Sequence, residues 1–293
     1  TDTGQKDDNA SETENGSDLF GQVRQKLETG FSSLKRKDPA PYLSMPAVQK
    51  ALVVGGGISG MTAALAIADH GFEVDLIEKN QDLGGNLAWL SQTIDGHDVN
   101  SFLEKMIERT ENHPLVHVHP RSAVTSSFGF PGHFITTVET GEDGGSKTFE
   151  HGAAILATGG KEAETMSYGY GTSPHVLTHK DLDKGLSSGM IKPQELKTVA
   201  MIQCVDSREK DGKNYCSRVC CTSTLKYALQ MKKDNPEMAV YILYRDLMAY
   251  GFFETYYTQA RQKDVLFIQY NLDTKPEVAT KESHVNVTVF DPI

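Results

Sequence analysis

The stretch KALVVGGGISGMTAALAIADHGFEVDLIEK, residues 50–79, decides the fold of the chain. Two apolar runs rich in Val, Leu and Ile enclose a run of glycines and an alanine-rich segment. Short β-branched runs bounded by glycine predict buried strands, and the alanine-rich segment between them predicts a helix. The order strand, glycine turn, helix, strand is a βαβ unit, which predicts an α/β domain built on a parallel sheet.

The glycine spacing in the turn indicates what this unit binds. Gly55, Gly57 and Gly60 form the pattern G-x-G-x-x-G between the first strand and the helix. The first glycine permits a tight turn, the second lets the backbone approach a pyrophosphate, and the third lets the helix pack close to the strand. Glu78 ends the second strand, where a carboxylate accepts hydrogen bonds from ribose hydroxyls. The pattern predicts a Rossmann-type domain that binds a dinucleotide. The alternative is that the glycines only make a turn and Glu78 is a surface acid.

The composition limits the number of domains and the class of partner. A chain of 293 residues is long enough for two domains of ordinary size. Its formal net charge of −10 repels nucleic acid and anionic lipid surfaces. The sequence holds no run of about 18 apolar residues and no leader with a charged start and an apolar body. We therefore expect a cytoplasmic protein with no direct membrane insertion and no nucleic-acid partner.

Residues 1–46 differ in character from the rest of the chain. Residues 1–16 contain several acids and no large apolar side chain, which predicts a disordered acidic tail. After Ser17, a predicted N-cap, apolar residues at helical spacing predict an amphipathic helix, and a linker follows as far as Pro46. The helix either docks on a partner chain or folds onto its own domain, and the pattern does not separate these alternatives. The apolar positions are Leu19, Phe20, Val23, Leu27, Phe31 and Leu34.

Hydrophobic patterning divides the remainder into three parts. Residues 47–160 are expected to form the first domain, with a helix in 97–111, a hairpin around GEDGG and a buried strand in AAILATGG. Residues 161–195, rich in Ser, Gly, Pro and His, are expected to be a connector. Residues 196–293 predict a second βαβ-like unit from the strand TVAMIQ, the helix TSTLKYALQMKK and the strand AVYILYRD.

The cysteines are concentrated in one segment, IQCVDSREKDGKNYCSRVCC at residues 202–221. Thiolates grouped this closely favour a metal-type site, because soft anionic sulfur suits zinc and iron–sulfur clusters. The spacing matches neither a zinc ribbon nor a ferredoxin, so zinc, a redox-active disulfide and buried free thiols remain alternatives. The segment stands where a second Rossmann unit would have its glycine-rich phosphate loop, so we do not expect NAD(P)H to bind there. The four residues are Cys204, Cys216, Cys220 and Cys221.

A histidine-rich stretch, NHPLVHVHP at residues 112–120, raises the question of another metal site. His117 and His119 share one face of a predicted strand, but no carboxylate or cysteine accompanies them in the sequence. We therefore expect an ordinary strand here.

Two further segments resemble the two-dinucleotide-binding flavoproteins. In that family the glycine turn and the terminal Glu are followed by a second glycine pair, as in NQDLGGNLAW, and by an Ala-Thr-Gly strand end, as at residues 157–159. The resemblance implies FAD rather than NAD, with Asn86 on the flavin side and backbone around Val124 at the adenine. The FAD-contacting positions that it implies are Gly55, Gly57, Ile58, Ser59, Gly60, Glu78, Lys79, Gly84, Gly85, Asn86, Val124, Thr158 and Gly159.

Over residues 50–292 the chain resembles the HdrA family of heterodisulfide reductase subunits, including the HdrA-like subunits of the quinone-interacting membrane-bound oxidoreductase of sulfate reducers. The matching segments are VVGGGISGMTAAL, IEKNQDLGGN, ILATGG, VLTHKDL, MIQCVDSRE, YCSRVCC, YILYRDLMAYGFFETYYTQAR, VLFIQYN and VTVFDP. The resemblance implies an α/β fold of the two-dinucleotide-binding type, with a Rossmann-type FAD-binding domain followed by an inserted NAD-domain-like unit. It also implies two cofactors, FAD and a 4Fe–4S cluster. The cluster ligands would be Cys204, Cys216, Cys220 and Cys221.

The same resemblance implies roles and partners. Lys226 would face the flavin and stabilise its reduced, anionic form, whereas a solvated helix lysine is the alternative. Electrons would pass between FAD, the cluster and partner subunits, which would be other iron–sulfur or disulfide-reductase subunits of the complex. The protein could be attached to a membrane complex through them. In the family the first domain is completed by later sequence, so we expect the flavin domain of this chain, which ends in VFDPI, to be C-terminally incomplete.

Two other functions stay open at this point. One is a self-contained NAD(P)H-dependent thiol–disulfide oxidoreductase, in which Cys220 and Cys221 or another pair would cycle as a dithiol. The other is a zinc-binding structural fragment without flavin.

Overall fold

The structure is a computed structural model that describes residues 12–35, 45–141 and 144–291. The chain divides into one unit of Thr1–Pro46 and a second unit of Ala47–Ile293. In the part of the chain that is described, no helix has the length and apolar character needed to cross a membrane.

The first unit contains one long helix, α1, at Glu12–Lys35. It begins before Ser17, so the prediction of an N-cap at Ser17 is wrong, and acidic residues ahead of Ser17 suit the first turn of a helix. The apolar stripe predicted on α1 faces solvent, with exposures from 48% at Val23 to 83% at Phe20. The predicted tail as far as residue 11 and the part of the predicted linker at 38–44 lie outside the described residues.

The second unit begins with the predicted βαβ segment. A second helix and a third parallel strand follow it. The elements are β1 (Lys50–Val54), α2 (Ile58–Asp69), β2 (Glu73–Ile77), α3 (Val99–Glu111) and β3 (Val116–His119). Between β2 and α3 the chain makes a 3-10 helix at Gly85–Trp89.

After β3 the chain forms an antiparallel sheet, which includes the predicted hairpin. Its strands, in the order β4-β5-β6, are β4 (Ser122–Phe130), β5 (His133–Thr140) and β6 (Gly145–His151). The chain then returns to the parallel sheet as β7 (Ala153–Leu156), which gives the order β3-β2-β1-β7 in the described residues. Val53 of β1 is paired in register with Leu76 on one side and Ile155 on the other.

The core of this part lies between the parallel sheet and helices α2 and α3. Val53, Met61, Ala64, Val74 and Leu76 are fully buried in it. Small alanines on α2 let the helix approach the sheet closely, and each large aliphatic side chain buried there contributes about 1.5–3 kcal/mol. This packing fixes the N-terminus of α2 at the carboxyl end of β1.

Strand β7 differs from the prediction in its burial. The apolar run AAIL predicts a buried strand, but Ala153 and Ala154 are exposed and Leu156 is 78% exposed. The reason is its position, because β7 lies at the edge of the described sheet and pairs with β1 alone.

The predicted connector contains a helix, α4 (His179–Ser187), which Thr178 and Asp181 start with a reciprocal capping box. Two 3-10 turns flank it at Ser167–Gly169 and Pro193–Glu195.

A second parallel sheet follows, in the order β10-β9-β8. Its elements are β8 (Thr198–Ile202), α5 (Cys220–Asp234), β9 (Ala239–Tyr244), α6 (Glu254–Gln262) and β10 (Val265–Gln269). A 3-10 turn at Gly251–Phe253 precedes α6, and a hairpin of β11 (Glu277–Thr280) and β12 (Val285–Thr288) comes last. Fully buried Leu225, Ala228, Val240 and Ile242 pack α5 against this sheet.

Candidate cofactor and cysteine site

The first glycine turn is shaped by close backbone packing. A Cβ on Gly60 would lie 1.7 Å from the carbonyl oxygen of Gly55, so only glycine lets α2 start this close to β1. Gly57 is different, because its Cβ would meet only the Cα of Gly85, at 3.9 Å. The space in front of Gly57 and the N-terminus of α2 is therefore open, as an approaching pyrophosphate requires.

The second glycine pair lies against the first turn. The Gly84 N–H donates to the Gly56 carbonyl oxygen at 2.9 Å, and Gly57 and Gly84 form an isolated parallel bridge. Gly85 has a φ of +56°, and a Cβ there would lie 3.1 Å from the Cα of Gly57. The two glycine segments, far apart in sequence, thus form one surface of bare backbone.

Glu78 is bound by backbone at this surface. Its carboxylate accepts hydrogen bonds from the Gly56 N–H at 2.6 Å and from the Asn80 N–H at 2.8 Å, and the residue is 5% exposed. Each carboxylate oxygen retains a lone pair. Glu78 is therefore held rigidly and keeps the capacity to accept hydrogen bonds from the hydroxyls of a ribose.

A third loop reaches the same surface from the end of β7. The Asn86 side-chain amide donates to the Gly160 carbonyl oxygen at 3.0 Å, and the Trp89 indole N–H donates to the Asn86 side-chain oxygen at 3.4 Å. Thr158 and Gly159, just before Gly160, are exposed. Three glycine-containing loops therefore meet at the carboxyl end of the first sheet, where ligands bind in open α/β sheets.

The other predicted cofactor residues are more scattered. Ile58 and Ser59 open helix α2, half-buried and exposed respectively, and Lys79 is an exposed residue directly after Glu78. Val124 lies on β4, paired with Val138 and 37% exposed. The open backbone at Gly57 and the rigid Glu78 carboxylate fit the diphosphate and ribose of a dinucleotide such as FAD.

The cysteine segment connects β8 to α5. Cys204 follows β8 and is buried, while Cys220 and Cys221 are the first two residues of α5. All four cysteines are free thiols. Cys216 lies in the connecting loop, where its sulfur accepts a hydrogen bond from the Arg218 N–H at 3.3 Å.

The pKa values of Cys204, Cys220 and Cys221 depend on one another. A hydrogen bond from Cys221 lowers the pKa of Cys220 to about 6, against the opposing effect of burial, and the same contact together with burial raises the pKa of Cys221. Burial raises the pKa of Cys204, although the Arg208 guanidinium, 3.8 Å from its sulfur, opposes the shift. A thiolate at Cys220 also benefits from the N-terminus of α5.

The donor set fits a soft metal or cluster in part. Cys204, Cys220 and Cys221 influence one another's ionisation, and anionic sulfur is the ligand that zinc and iron–sulfur clusters use. Among the residues that the structure describes, however, no three His, Cys, Asp or Glu side chains are arranged to hold a metal ion. The cysteines would therefore have to rearrange to hold such a group.

Backbone strain marks the cysteine segment as unusual. Cys204, Asp206, Arg208 and Arg218 have φ values of +59°, +50°, +58° and +59°. Each left-handed non-glycine residue costs about 1–3 kcal/mol and persists where surrounding contacts determine it, often at functional sites. Contacts of this kind are present: Arg208 pairs with Asp246 after β9, and Arg245 donates to the carbonyl oxygens of Ser207 and Arg208.

Gln203, directly before Cys204, was not predicted as a site residue. It is 2% exposed, and neither its side-chain oxygen nor its side-chain nitrogen has a hydrogen-bond partner in the described part of the chain. Leaving a buried amide unpaired costs about 1–3 kcal/mol.

Lys226 is buried and paired, so it is not the solvated helix lysine of the alternative prediction. It is 6% exposed, and its ammonium group lies 2.8 Å from the Asp183 carboxylate and 3.2 Å from the Gln92 carbonyl oxygen. Burial alone would raise the pKa of Asp183, but hydrogen bonds from Lys226, Tyr227 and Ser91 outweigh it and lower that pKa.

Asp183 was missed because residues 161–195 were expected to be a connector. Thr178 and Asp181, spaced as a capping box, were the available signal for α4.

The histidine stretch has carboxylate partners that the local sequence does not reveal. His119 Nε2 lies 2.8 Å from Asp75 Oδ1 on β2, and Lys50 contacts the other oxygen of Asp75 at 2.9 Å. His117 is exposed on β3.

Fold and site together define an α/β protein with two Rossmann-like units and a dinucleotide-type glycine cradle. The NAD(P)-binding Rossmann-like domain family matches residues 53–103. A variant of the HOCl-induced flavoprotein disulfide reductase RclA from Escherichia coli, as its Cu(II) complex, has a similar fold. The TM-score is 0.50 at 16% identity, covering 84% of this chain and 54% of that one. The predicted fold class is thereby confirmed.

Curated relatives point to one family. The HdrA-type subunit of the Ferredoxin/F(420)H(2)-dependent CoB-CoM heterodisulfide reductase of Methanosarcina acetivorans is 28% identical, covering 76% of this chain and 40% of that protein. An HdrA-type iron-sulfur subunit of the CoB–CoM heterodisulfide reductase of Methanopyrus kandleri is 28% identical, with coverages of 83% and 50%. The chain thus spans about half the length of the curated relatives it matches. These similarities confirm the resemblance to the HdrA family of heterodisulfide reductase.

Proposed function

We propose that this chain is the FAD- and cluster-carrying part of an electron-transfer flavoprotein subunit of a heterodisulfide-reductase-like complex, and hence an FAD-dependent oxidoreductase. One observation carries the proposal: the glycine cradle and the cysteine helix α5 belong to one compact unit and are joined by the buried Asp183–Lys226 pair. The similarity to HdrA proteins supports the same conclusion.

Different residues of the cradle would hold different parts of FAD. Backbone at Gly57 and Gly85 leaves room for the diphosphate, and Glu78 accepts hydrogen bonds from the ribose. Asn86, tied to Gly160, would hold the loop on the flavin side. Bound FAD supplies the capacity to exchange electrons one or two at a time.

The four predicted cysteines would hold the iron–sulfur cluster, which supplies one-electron transfer. Cys220 is the thiol most readily ionised, and the helix N-terminus stabilises its negative charge. Arg208 places a positive charge beside Cys204. The cysteines would have to rearrange to hold it, because no three of the described His, Cys, Asp or Glu side chains are placed for a metal ion, and the segment contains the strained Arg218.

The partners would be iron–sulfur or disulfide-reductase subunits of an electron-transfer complex, because the matched relatives are named as subunits. Lys226 would act near the flavin from α5. Attachment to a membrane, where it occurs, would be through these partners.

Anaerobic purification tests the proposal, with flavin, iron, sulfide and zinc quantified on this chain. We expect flavin together with about four irons, and loss of iron but not of flavin in Cys220→Ser. Ser207→Ala is the control in the same segment and should keep its iron; Ser217 is unsuitable because its side chain contacts Cys220. Zinc without flavin would overturn the proposal and support a structural fragment.

A thiol–disulfide oxidoreductase is the second candidate, and the Cys220–Cys221 contact favours it. A thiol with its pKa near 6 beside a protonated neighbour is a typical attacking and resolving pair. Flavin without iron, together with rapid alkylation of one cysteine at pH 7, would select this function.

A further inference from the structure

Asp183 of α4 is a fully buried carboxylate with three donors. One oxygen accepts the Ser91 N–H at 2.9 Å. The other accepts Lys226 Nζ at 2.8 Å and the Tyr227 hydroxyl at 2.7 Å. The residue has 0% exposure, so these bonds are shielded from water.

The donors come from two separate parts of the fold. Ser91 follows the 3-10 helix Gly85–Trp89, which belongs to the second glycine segment of the cradle. Lys226 and Tyr227 lie on α5, the helix that starts with Cys220 and Cys221. Lys226 Nζ also donates to the Gln92 carbonyl oxygen at 3.2 Å, so the lysine binds the same segment as Asp183 does.

The energetic balance of this contact suits a positioning role. A buried ion pair gains little net stability over an apolar replacement, because both charges lose their hydration. Removing Asp183 is costly, since the Lys226 charge would remain buried without a counter-ion and the Ser91 N–H without its acceptor. A fully satisfied network of this kind specifies one arrangement of the segments that it joins.

We propose that Asp183 is a positioning residue that fixes the cradle segment 84–92 against the cysteine helix α5 by holding Lys226. The inference rests on the proposed function only in assigning FAD to that cradle and a cluster to the cysteines that begin α5. Its consequence is that the separation of the two redox groups is set by a side chain that touches neither of them.

Trp89 provides a direct readout, because it is the single tryptophan of the chain and ends the 3-10 helix of the cradle. Its fluorescence and its quenching by acrylamide report on this segment whether or not a cofactor is bound. In Asp183→Asn we expect acrylamide quenching to rise about twofold and the Kd for added FAD to rise about tenfold. Lys226→Met should reproduce the effect, and the double variant should fall short of the sum of the two.

Asp181→Asn is the matched control on the same helix. Asp181 completes the capping box of α4 and makes no contact with Lys226 in the described structure. We expect that variant to unfold at lower urea concentration while Trp89 quenching and the Kd for FAD stay at the parent values. Should Asp183→Asn fail to fold, Tyr227→Phe removes one of the three donors without stranding a charge and should shift quenching in the same direction.

The outcomes separate this inference from the proposed function. Parental quenching in folded Asp183→Asn, or in Tyr227→Phe where only that variant folds, overturns the positioning role. Raised quenching in Asp183→Asn, when the parent chain itself binds no FAD, would retain the positioning role and remove the flavin from the proposed function.

Discussion

The side-chain amide of Asn86 donates to the carbonyl oxygen of Gly160 at 3.0 Å, across 74 positions of sequence. This bond ties the second glycine segment to the loop that follows β7. We expect Asn86→Ala to weaken FAD binding about tenfold, because the loop on the flavin side loses its anchor. Titration of FAD against Trp89 fluorescence measures the change. Parental affinity in the variant would show that the cradle does not depend on this bond.

Gly57 and Gly60 should respond oppositely to the same added methyl group. A Cβ at Gly57 meets nothing closer than 3.9 Å, so Gly57→Ala should fold with a stability loss below about 1 kcal/mol, yet block the diphosphate and lose FAD binding. A Cβ at Gly60 would lie 1.7 Å from the Gly55 carbonyl oxygen, so Gly60→Ala should cost about 1–3 kcal/mol or more. Urea unfolding and FAD titration on both variants separate these effects. FAD binding of parental strength in Gly57→Ala would place the ligand elsewhere.

The βαβ segment at residues 50–79 was predictable because its determinants are local. Gly55, Gly57 and Gly60 each have a role that only glycine fills, and the flanking runs have the lengths of strands and a helix. Strand β7 shows the limit of such patterns. Its sequence is that of a strand buried on both faces, but burial depends on neighbours that the strand's own residues do not encode.

The site was predictable only where its groups are close in sequence or belong to a motif. The cysteines attract attention by their density, whereas Asp183 and Lys226 are 43 positions apart and carry no pattern. Asp75 and His119 are likewise separated, by 44 positions, and come together through the pairing of β2 with β3. Long-range polar pairs of this kind follow from the packed fold, not from local spacing.

The substitution Gln203→Leu should have different effects on the cofactor-free chain and on the chain loaded with iron. Its buried amide is unpaired in the described structure, so Gln203→Leu should raise the free energy of unfolding of the cofactor-free chain by about 1–2 kcal/mol. If the amide serves the neighbouring cysteine site, the same variant should retain less iron after anaerobic loading. Gln269→Leu is the control, because that exposed glutamine donates to the Arg245 carbonyl oxygen and its loss should be neutral or destabilising. A destabilised Gln203→Leu would mean that the amide does have a partner in solution.

His179 should make the stability of the second unit depend on pH. Burial, and then the positive charge of Lys226, lower the pKa of His179 from 6.5 to about 4. Because the folded state holds the imidazole neutral, its contribution is fully present above pH 6.5 and is lost as the pH falls from 6.5 toward 4, where the unfolded chain takes up the proton first. The loss should be about 1–3 kcal/mol.

Urea unfolding under reducing conditions at pH 7 and pH 4.5 measures the loss, and His179→Gln should lose about 1–3 kcal/mol less than the parent over this range. Cys220 and His151, whose pKa values are also lowered in the fold, lose stability in the same window in both chains, so the difference between the chains isolates His179. The glutamine can keep a hydrogen bond to the Thr224 hydroxyl, which lies 3.1 Å from His179 Nε2, but has no proton to gain in this range. The Asp183 carboxylate cannot account for a change in this window, because its lowered pKa places its loss of stability below its ordinary value of 3.8. An unchanged pH profile in His179→Gln would therefore mean that His179 is hydrated in solution and that its ring does not pack against Tyr227 as it does in the fold.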